Sequence, residues 1–177
     1  TYLDDQYFDG VKKLNNEDFE SAEKIFSEIV NIDGSYKDSK EKLNIAIYEP
    51  KYRQAVTFMG QKKYRSAYYL FDEIITNYGS YKESADLKDE SQKAATIKVA
   101  IEDIKNHSNK AEISSQIKSK IISGLNQSND PFLKVVEYNK SLSASFSGQE
   151  SAKAVQPDAI VRGTIHSYTF DLGRLQR

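Results

Sequence analysis

The pattern of apolar and polar positions in residues 7–39 recurs along the chain 45 residues later. Sliding this segment onto residues 52–84 needs no gap and leaves twelve of the 33 positions identical. Self-similarity at a fixed period of this kind is typical of helical repeat proteins. The identical pairs are Tyr7/Tyr52, Val11/Val56, Ser21/Ser66, Ala22/Ala67, Phe26/Phe71, Glu28/Glu73, Ile29/Ile74, Gly34/Gly79, Ser35/Ser80, Tyr36/Tyr81, Lys37/Lys82 and Ser39/Ser84.

Each copy is predicted to begin with two helices. In the first copy, Tyr7, Val11 and Leu14 are spaced by four and three residues, which places them on one face of a helix. Asn15 and Asn16 are expected to end this helix. The second helix is amphipathic, and its apolar stripe comprises Phe19, Ala22, Ile25, Phe26, Ile29 and Val30.

A third helix is predicted after Gly34, from Tyr36 to about Tyr48, with Pro50 closing it. Gly34 is expected to end the second helix, because glycine takes the left-handed conformation without a steric penalty. Small residues are expected where neighbouring helices cross, and large aromatic residues at the centre of each pair of helices. These positions are Ala22 and Ala67 in the first case, and Phe26 and Phe71 in the second.

After residue 95 the apolar residues are no longer spaced as in a helix. Ile97, Val99 and Ile101 occupy alternate positions, which predicts a strand. A helix is then predicted to begin at Asn109, with Glu112 completing a capping box. Its apolar face comprises Ile113, Ile117, Ile121, Ile122 and Leu125.

The remaining residues predict two more strands, Phe132–Tyr138 and a long one at Ala159–Phe170. Between them, Ser141–Gly148 is serine-rich and weakly structured, and Gln149–Val155 is predicted to form a short helix. Strand, helix, strand and a later strand imply a small α/β sheet. One face of the last strand carries Val161, Gly163 and Ile165.

Composition and charge exclude several classes of protein. The chain has no cysteine, which excludes disulfides and thiolate metal sites. No apolar run approaches the roughly 18–20 residues that a membrane span needs. Net charge is −6 over residues 1–50, +2 over 51–95 and +3 over 96–177, so no basic stripe marks a nucleic-acid surface.

Residues that could carry chemistry are few. His107 and His166 are far apart in the sequence and are interpreted as loop and strand-surface residues rather than as catalytic bases or zinc ligands. Glu102 and Asp103 follow a strand, but adjacent strand residues point to opposite faces. The following turn has no glycine for a phosphate, and no known catalytic motif occurs. The sequence predicts no enzyme activity, cofactor or metal.

The first half resembles tetratricopeptide repeats. The resemblance lies in the order Gly10-x3-Leu14-x4-Phe19-x2-Ala22-x3-Phe26 and its second copy, Ala55-x3-Met59-x4-Tyr64-x2-Ala67-x3-Phe71. The Gly-Ser-Tyr-Lys-Asp/Glu-Ser motif at residues 34–39 and 79–84 resembles a bacterial variant. The period of 45 residues differs from the usual one of about 34, and Asn16 and Gln61 replace the usual small residue before the turn. Over residues 5–94 the resemblance implies a curved array whose inner face binds proteins.

The second half resembles another family across residues 96–170. It combines Val99-Ala100-Ile101, an amphipathic helix, Phe132-x2-Val135-Val136-Glu137 and Asp158-Ala159-Ile160-Val161-x-Gly163. This combination is similar to bacterial envelope lipoproteins, namely the curli secretion-channel component and the lipoprotein activators of cell-wall synthases. The resemblance implies a periplasmic or outer-membrane protein, held by a lipid attached upstream of Thr1, with a sheet that continues past Arg177.

The expected fold class is therefore α+β, with two domains. Residues 1–94 form the all-α, tetratricopeptide-like domain of two 45-residue copies. Residues 96–177 form a small α/β domain of sandwich type that is incomplete at its C-terminal end.

Candidate protein-binding residues are surface positions at which the two copies differ. They are Arg53, Lys63, Tyr68 and Tyr69 in the second copy, and Glu17, Glu23 and Lys24 in the first. Tyr68 and Tyr69 replace Glu23 and Lys24, so a charged pair typical of solvent-exposed positions is replaced by two aromatic residues. Two interpretations follow: the tyrosines pack against the next helix, or they are exposed anchors for a partner.

The expected function is that of a non-enzymatic scaffold of the bacterial cell envelope. Its partners would be other proteins, such as subunits of membrane or envelope complexes, with no nucleic acid and with membrane contact only through the upstream lipid. Two alternatives stay open. One is a cytosolic repeat adaptor, and the other is a subunit of an oligomeric secretion channel.

Overall fold

A computed structural model describes residues 1–137 and 156–169 of the chain. The chain divides into two compact units, Thr1–Ala95 and Thr96–Arg177. The first unit is all-α, and the second combines a helix with short parallel strands. The protein is therefore of mixed α+β class.

Five helices build the first unit, and each packs against the next along the chain. Helix α1 has a complete capping box, in which Thr1 and Asp4 bind each other's backbone N–H groups. Asp18 accepts a hydrogen bond from the backbone N–H of Ser21 and so caps α2. The helices are α1 (Tyr2–Asn15), α2 (Phe19–Ile32), α3 (Ser39–Gly60), α4 (Tyr64–Tyr78) and α5 (Ser84–Ala95).

The apolar stripes pack into two core clusters, one for each copy of the repeat. The first contains Ala22, Phe26, Ile29 and Ala46, and the second contains Ala55, Ala67, Phe71, Ile74 and Tyr81. Both alanines and both phenylalanines singled out from the sequence are fully buried. The predicted burial of these four residues is confirmed.

The expected end of the third helix at Pro50 is wrong. Helix α3 runs without interruption from Ser39 to Gly60, with Pro50 inside it. A proline within a helix removes one backbone hydrogen bond and costs about 3 kcal/mol. Packing at both ends offsets this cost, because Ala46 belongs to the first core and Ala55 to the second. The trailing helix of one copy and the leading helix of the next are therefore a single helix.

We expect Pro50→Ala to raise the free energy of unfolding of the first unit by about 2 kcal/mol. Alanine restores the missing N–H donor, which stabilises the helix by about 3 kcal/mol. It also raises the conformational entropy of the unfolded chain, which lowers the stability by up to about 1 kcal/mol. Denaturant unfolding followed by tyrosine near-ultraviolet circular dichroism measures the change, since ten of the twelve tyrosines lie in residues 1–95. Gln54→Ala, one turn further along α3, is the control. A less stable P50A protein would contradict the prediction.

The two equivalent glycines differ in conformation. Gly79 caps α4 with φ +92°, in the region that favours glycine. Gly34 was expected to do the same for α2, but its φ is not positive, and Asp33 caps that helix instead. The left-handed residue in both turns is a lysine, with φ 46° at Lys37 and Lys82.

The second unit contains one helix and five short strands among the described residues. They are β1 (Ile97–Ile101), β2 (Lys105–Asn106), α6 (Ile113–Gln127), β3 (Leu133–Val136), β4 (Ala159–Val161) and β5 (Thr164–Ile165). Three parallel strands form a sheet in the order β3–β1–β4, and β2 and β5 form a separate parallel pair. Val99, Ala100 and Ile101 are all buried, because β1 is the central strand. The predicted first strand is thus confirmed.

Two predicted elements of the second unit need correction. Helix α6 begins at Ile113 rather than Asn109, and Glu112 makes no capping hydrogen bond through its side chain. The long strand predicted from Ala159 is two short strands, β4 beside β1 and β5 beside β2. The segments predicted at 141–148 and 149–155, and the predicted strand ends Tyr138 and Phe170, lie outside the described residues.

Asp158 has a defined role at the start of β4. Its carboxylate accepts a hydrogen bond of 2.7 Å from the backbone N–H of Lys98, and its own N–H donates to the Lys98 carbonyl at 2.8 Å. This pair of bonds fixes the register of β4 on β1, in which Val99 lies opposite Ala159.

Candidate functional site

The repeated Tyr-Lys motif joins the ends of the first helical copy. Tyr36 donates a hydrogen bond of 2.5 Å from its hydroxyl to the Asp4 carboxylate. The Lys37 ammonium binds the same oxygen at 2.8 Å. These hydrogen bonds lower the pKa of the Asp4 carboxyl well below its usual range, and the one from Lys37 has the largest effect. Asp4, Tyr36 and Lys37 are called the first clasp below.

The same arrangement recurs 45 residues later. Tyr81 donates a hydrogen bond of 2.6 Å to the carboxylate of Glu49, and Lys82 binds the same oxygen. Glu49, Tyr81 and Lys82 are called the second clasp. Unlike the half-exposed Asp4, Glu49 is buried, with a relative exposure of 8%. Burial raises the pKa of Glu49, but hydrogen bonds from Lys82, Tyr81 and Arg53 outweigh it and lower the pKa to about 2.

One further hydrogen bond reinforces each clasp. The hydroxyl of Tyr7 donates to Asp38 at 2.5 Å, and that of Tyr52 donates to Glu83 at 2.8 Å. Burial, together with the hydrogen bond to Glu83, raises the pKa of Tyr52 to about 12. The acid that follows the Tyr-Lys pair therefore binds the leading helix of its own copy, and the motif has a structural role.

Arg53 connects the two copies. Its guanidinium donates to Glu49 at 2.9 Å and contacts Glu17, in the turn after α1, at 2.9 Å. It also lies 5.4 Å from the centre of the Phe19 ring. Hydrogen bonds to Glu17 and then Glu49 raise the pKa of the Arg53 guanidinium, so it stays charged. Glu17 and Arg53, both candidates from the sequence, are thus brought together.

These residues border a groove of about 440 Å³ within the first unit. Its apolar lining, called the apolar wall below, includes Phe19, Ile45 and Tyr78, and Tyr78 remains 36% exposed. Its charged members are three carboxylates and two cations, and both cations are engaged by Glu17 or Glu49. Among the described residues the carboxylate of Glu41 makes no such pair, so the charged side chains of the groove leave one negative charge uncompensated. The lining residues are Leu14, Asn15, Glu17, Phe19, Glu41, Ile45, Glu49, Arg53, Tyr78, Tyr81 and Lys82.

The other predicted site residues lie outside this groove. Glu23 and Lys24 are exposed on α2, where Lys24 forms an ion pair of 2.7 Å with Glu20. Lys63 is exposed at the start of α4, with its ammonium 5.6 Å from the centre of the Phe58 ring. The structure does not bring these three residues together with Arg53.

The sequence left two interpretations open for Tyr68 and Tyr69, namely packing against the next helix or exposure to a partner. Each tyrosine fits a different one. Tyr68 is half-buried, and the ammonium of Lys88 on α5 lies 5.2 Å from the centre of its ring. Tyr69 is 56% exposed and meets the Tyr68 ring edge to face at 5.4 Å. Tyr68 therefore packs toward the next helix, and Tyr69 presents its ring to solvent.

The acidic pair after β1 separates as predicted. Glu102 contacts Arg162 at 2.7 Å, and Asp103 contacts Lys118 at 2.6 Å. His107 lies in a loop, as predicted, and His166 is exposed one residue past the end of β5. The rings of these two histidines, which are far apart in the sequence, stack with centroids 6.0 Å apart. Over the described ranges, no group of three or more His, Cys, Asp or Glu residues could hold a metal ion.

Glu41 and the whole second clasp are groove residues that the sequence pattern did not predict. The sequence does contain a signal for the clasp, since Tyr36-Lys37 and Tyr81-Lys82 recur at the repeat period and an acid stands 32 residues before each tyrosine. Identity between the copies therefore marks polar contacts in the clasp as well as packing in the core.

Comparison with family models, curated proteins and solved structures finds no match to this chain. Within residues 1–137 and 156–169, no helix has both the length and the apolar character needed to cross a lipid bilayer.

Proposed function

We propose that this protein is a non-enzymatic scaffold that binds a segment of another protein in the groove between its two helical copies. The observation that carries the proposal is a concave site that combines an apolar wall with fixed charges. The second clasp and Arg53 hold the floor rigid through hydrogen bonds at both ends. A preorganised floor reduces the entropy lost when a partner binds.

The charges of the groove indicate what kind of segment it accepts. Arg53 and Lys82 are already paired, whereas Glu41 is exposed and carries the excess negative charge. A cationic side chain on the partner would neutralise Glu41. A neighbouring apolar side chain would cover Ile45 and the exposed part of Tyr78. We therefore expect a segment with a lysine or arginine next to an aliphatic or aromatic residue.

The class and location of the protein belong to the same proposal. The order of small and aromatic residues in each copy supports a tetratricopeptide-like array, although α3 is continuous between copies. The Asp158-Ala159-Ile160-Val161 segment, its resemblance to envelope lipoproteins and a parallel sheet in the second unit support a place in the bacterial envelope. The protein would be held there by a lipid attached upstream of Thr1, and its partners would be subunits of envelope complexes.

Site-specific photocrosslinking in cells that naturally make the protein tests this function. A photoreactive amino acid replaces Asn15, which lines the groove without contributing to its charges, or, as a matched control, Asn31, an exposed asparagine on α2 outside it. We expect a discrete crosslinked protein from position 15 and not from position 31. The product should weaken when Tyr78→Ser removes part of the apolar wall.

The outcomes separate the alternatives. A specific product in the membrane fraction supports the envelope scaffold, and the same product in the soluble fraction supports the cytosolic adaptor instead. Equal labelling from positions 15 and 31, or none from position 15, would rule out the groove as the binding site.

A further inference from the structure

Two strands of the second unit bring His107 and His166 side by side. In the β2–β5 pair, Lys105 lies opposite Thr164 and Asn106 opposite Ile165, so the next opposed positions are the two histidines. The backbone N–H of His107 donates to the Ile165 carbonyl at 2.8 Å, which extends the ladder to this point. The imidazole rings are nearly parallel, at 24°, with centroids 6.0 Å apart.

Both imidazoles are exposed and lie on one face of the strand pair. Side chains alternate along a strand, so Asn106 points away from them, and its amide donates instead to the Lys110 carbonyl at 2.6 Å. Neighbouring strands lie about 4.7–4.9 Å apart in the hydrogen-bonding direction, which sets the separation of directly opposed residues. This spacing lets two imidazoles reach one ion from the same side.

We propose that His107 and His166 form a binding site for a divalent transition-metal ion such as Cu²⁺ or Zn²⁺. Neutral imidazole nitrogen is the commonest protein ligand for these ions. In the stacked arrangement the ring nitrogens do not converge on one point. Exposed side chains change rotamer within nanoseconds, so the chelating arrangement is accessible without backbone movement.

The rest of the coordination sphere is expected to be solvent. The described residues contain no group of three or more His, Cys, Asp or Glu that could hold a metal. A structural zinc site uses four protein ligands, so this site is expected to bind less tightly and to keep open positions. The bound ion would also connect β2 to β5, a pair of strands with two residues each.

Copper titration of the full chain, followed by calorimetry and by amide NMR, tests the site. We expect one equivalent to bind in the micromolar range, with paramagnetic broadening strongest at residues 105–107 and 164–166. His107→Ala and His166→Ala should each weaken binding by roughly tenfold or more, about 1.4 kcal/mol. The same variants should weaken Zn²⁺ binding, and Mg²⁺, which prefers oxygen ligands, should not bind.

Three results would overturn the proposal. The first is no saturable binding of copper or zinc. The second is one single-histidine variant that binds as tightly as the parent, because the other histidine would then act alone. The third is unchanged binding by the double variant, which would assign the metal to another site. Both side chains are exposed, so the spectra of the metal-free variants should match the parent elsewhere.

Discussion

Replacing Phe71 with alanine is expected to lower the free energy of unfolding of the first unit by about 3–5 kcal/mol. Its side chain is fully buried in the second core cluster and meets the Tyr52 ring edge to face at 5.9 Å. Alanine loses the transfer free energy of the ring and leaves a cavity lined by Ala55, Ala67 and Ile74. Domains have a total stability of about 5–15 kcal/mol, so this is a large part of it.

Denaturant unfolding followed by tyrosine circular dichroism measures the change, with Tyr69→Ala as the control. Tyr69 is 56% exposed on the same helix, and its replacement is expected to cost less than about 1 kcal/mol. Phe26→Ala should cost as much as Phe71→Ala, because Phe26 is fully buried in the equivalent cluster. A small effect at Phe71 would mean that the core collapses around the lost ring.

The sequence predicts the helical part of the fold well, because its signal is periodic and occurs twice. The apolar stripes of α1, α2 and α4 follow from spacing alone. The continuity of α3 does not, because local propensity argues for a break at Pro50. The helix continues there because its two ends pack in different cores. This packing is tertiary information, and the residues close to Pro50 in the sequence do not contain it.

A difference between the copies has a similar origin. The second copy has Ala55 where the first has Gly10, and a β-carbon at Gly10 would lie 2.9 Å from the Phe26 ring. In the second copy the equivalent alanine fits within the core. The requirement for glycine comes from how closely two helices approach, and the sequence shows only that the residue is small.

The β-strands and the sites were less predictable. The His107–His166 pair depends on the register of β2 against β5, which two-residue strands do not reveal in their pattern. The predicted strand from Ala159 divides near Gly163 because β4 and β5 pair with different strands. Glu17 and Arg53 are 36 positions apart in the sequence and form an ion pair in the groove. Their contact depends on how the two copies pack against each other.

Replacing Glu49 with alanine is expected to lower the free energy of unfolding by about 2–3 kcal/mol. The change removes the shared acceptor of the second clasp and leaves the buried hydroxyl of Tyr81 without its partner. Loss of a charged hydrogen-bond acceptor costs about 1.5–3 kcal/mol. The exposed sides of Arg53 and Lys82 can regain water, which limits the total.

Tyr81→Phe and Tyr36→Phe form the matched comparison, because each removes only the hydroxyl that binds the clasp carboxylate. Tyr81 is buried and Tyr36 is more exposed, so Tyr36→Phe should cost clearly less. Equal losses at Tyr81 and Tyr36 would show that burial does not set the strength of the clasp, and the expected rigidity of the groove floor would lose its basis.

The pH dependence gives a second, independent measurement of the same clasp. The pKa of Glu49 is about 2 in the folded protein and is expected near 4.5 in the unfolded chain. A lowered folded pKa stabilises the folded state above the unfolded pKa, and this contribution is lost as pH falls from about 4.5 to 2. The parent should therefore lose stability over this range, and Glu49→Gln should lose less of it. If the two proteins show the same acid dependence, Glu49 is not the carboxylate that holds the second clasp together.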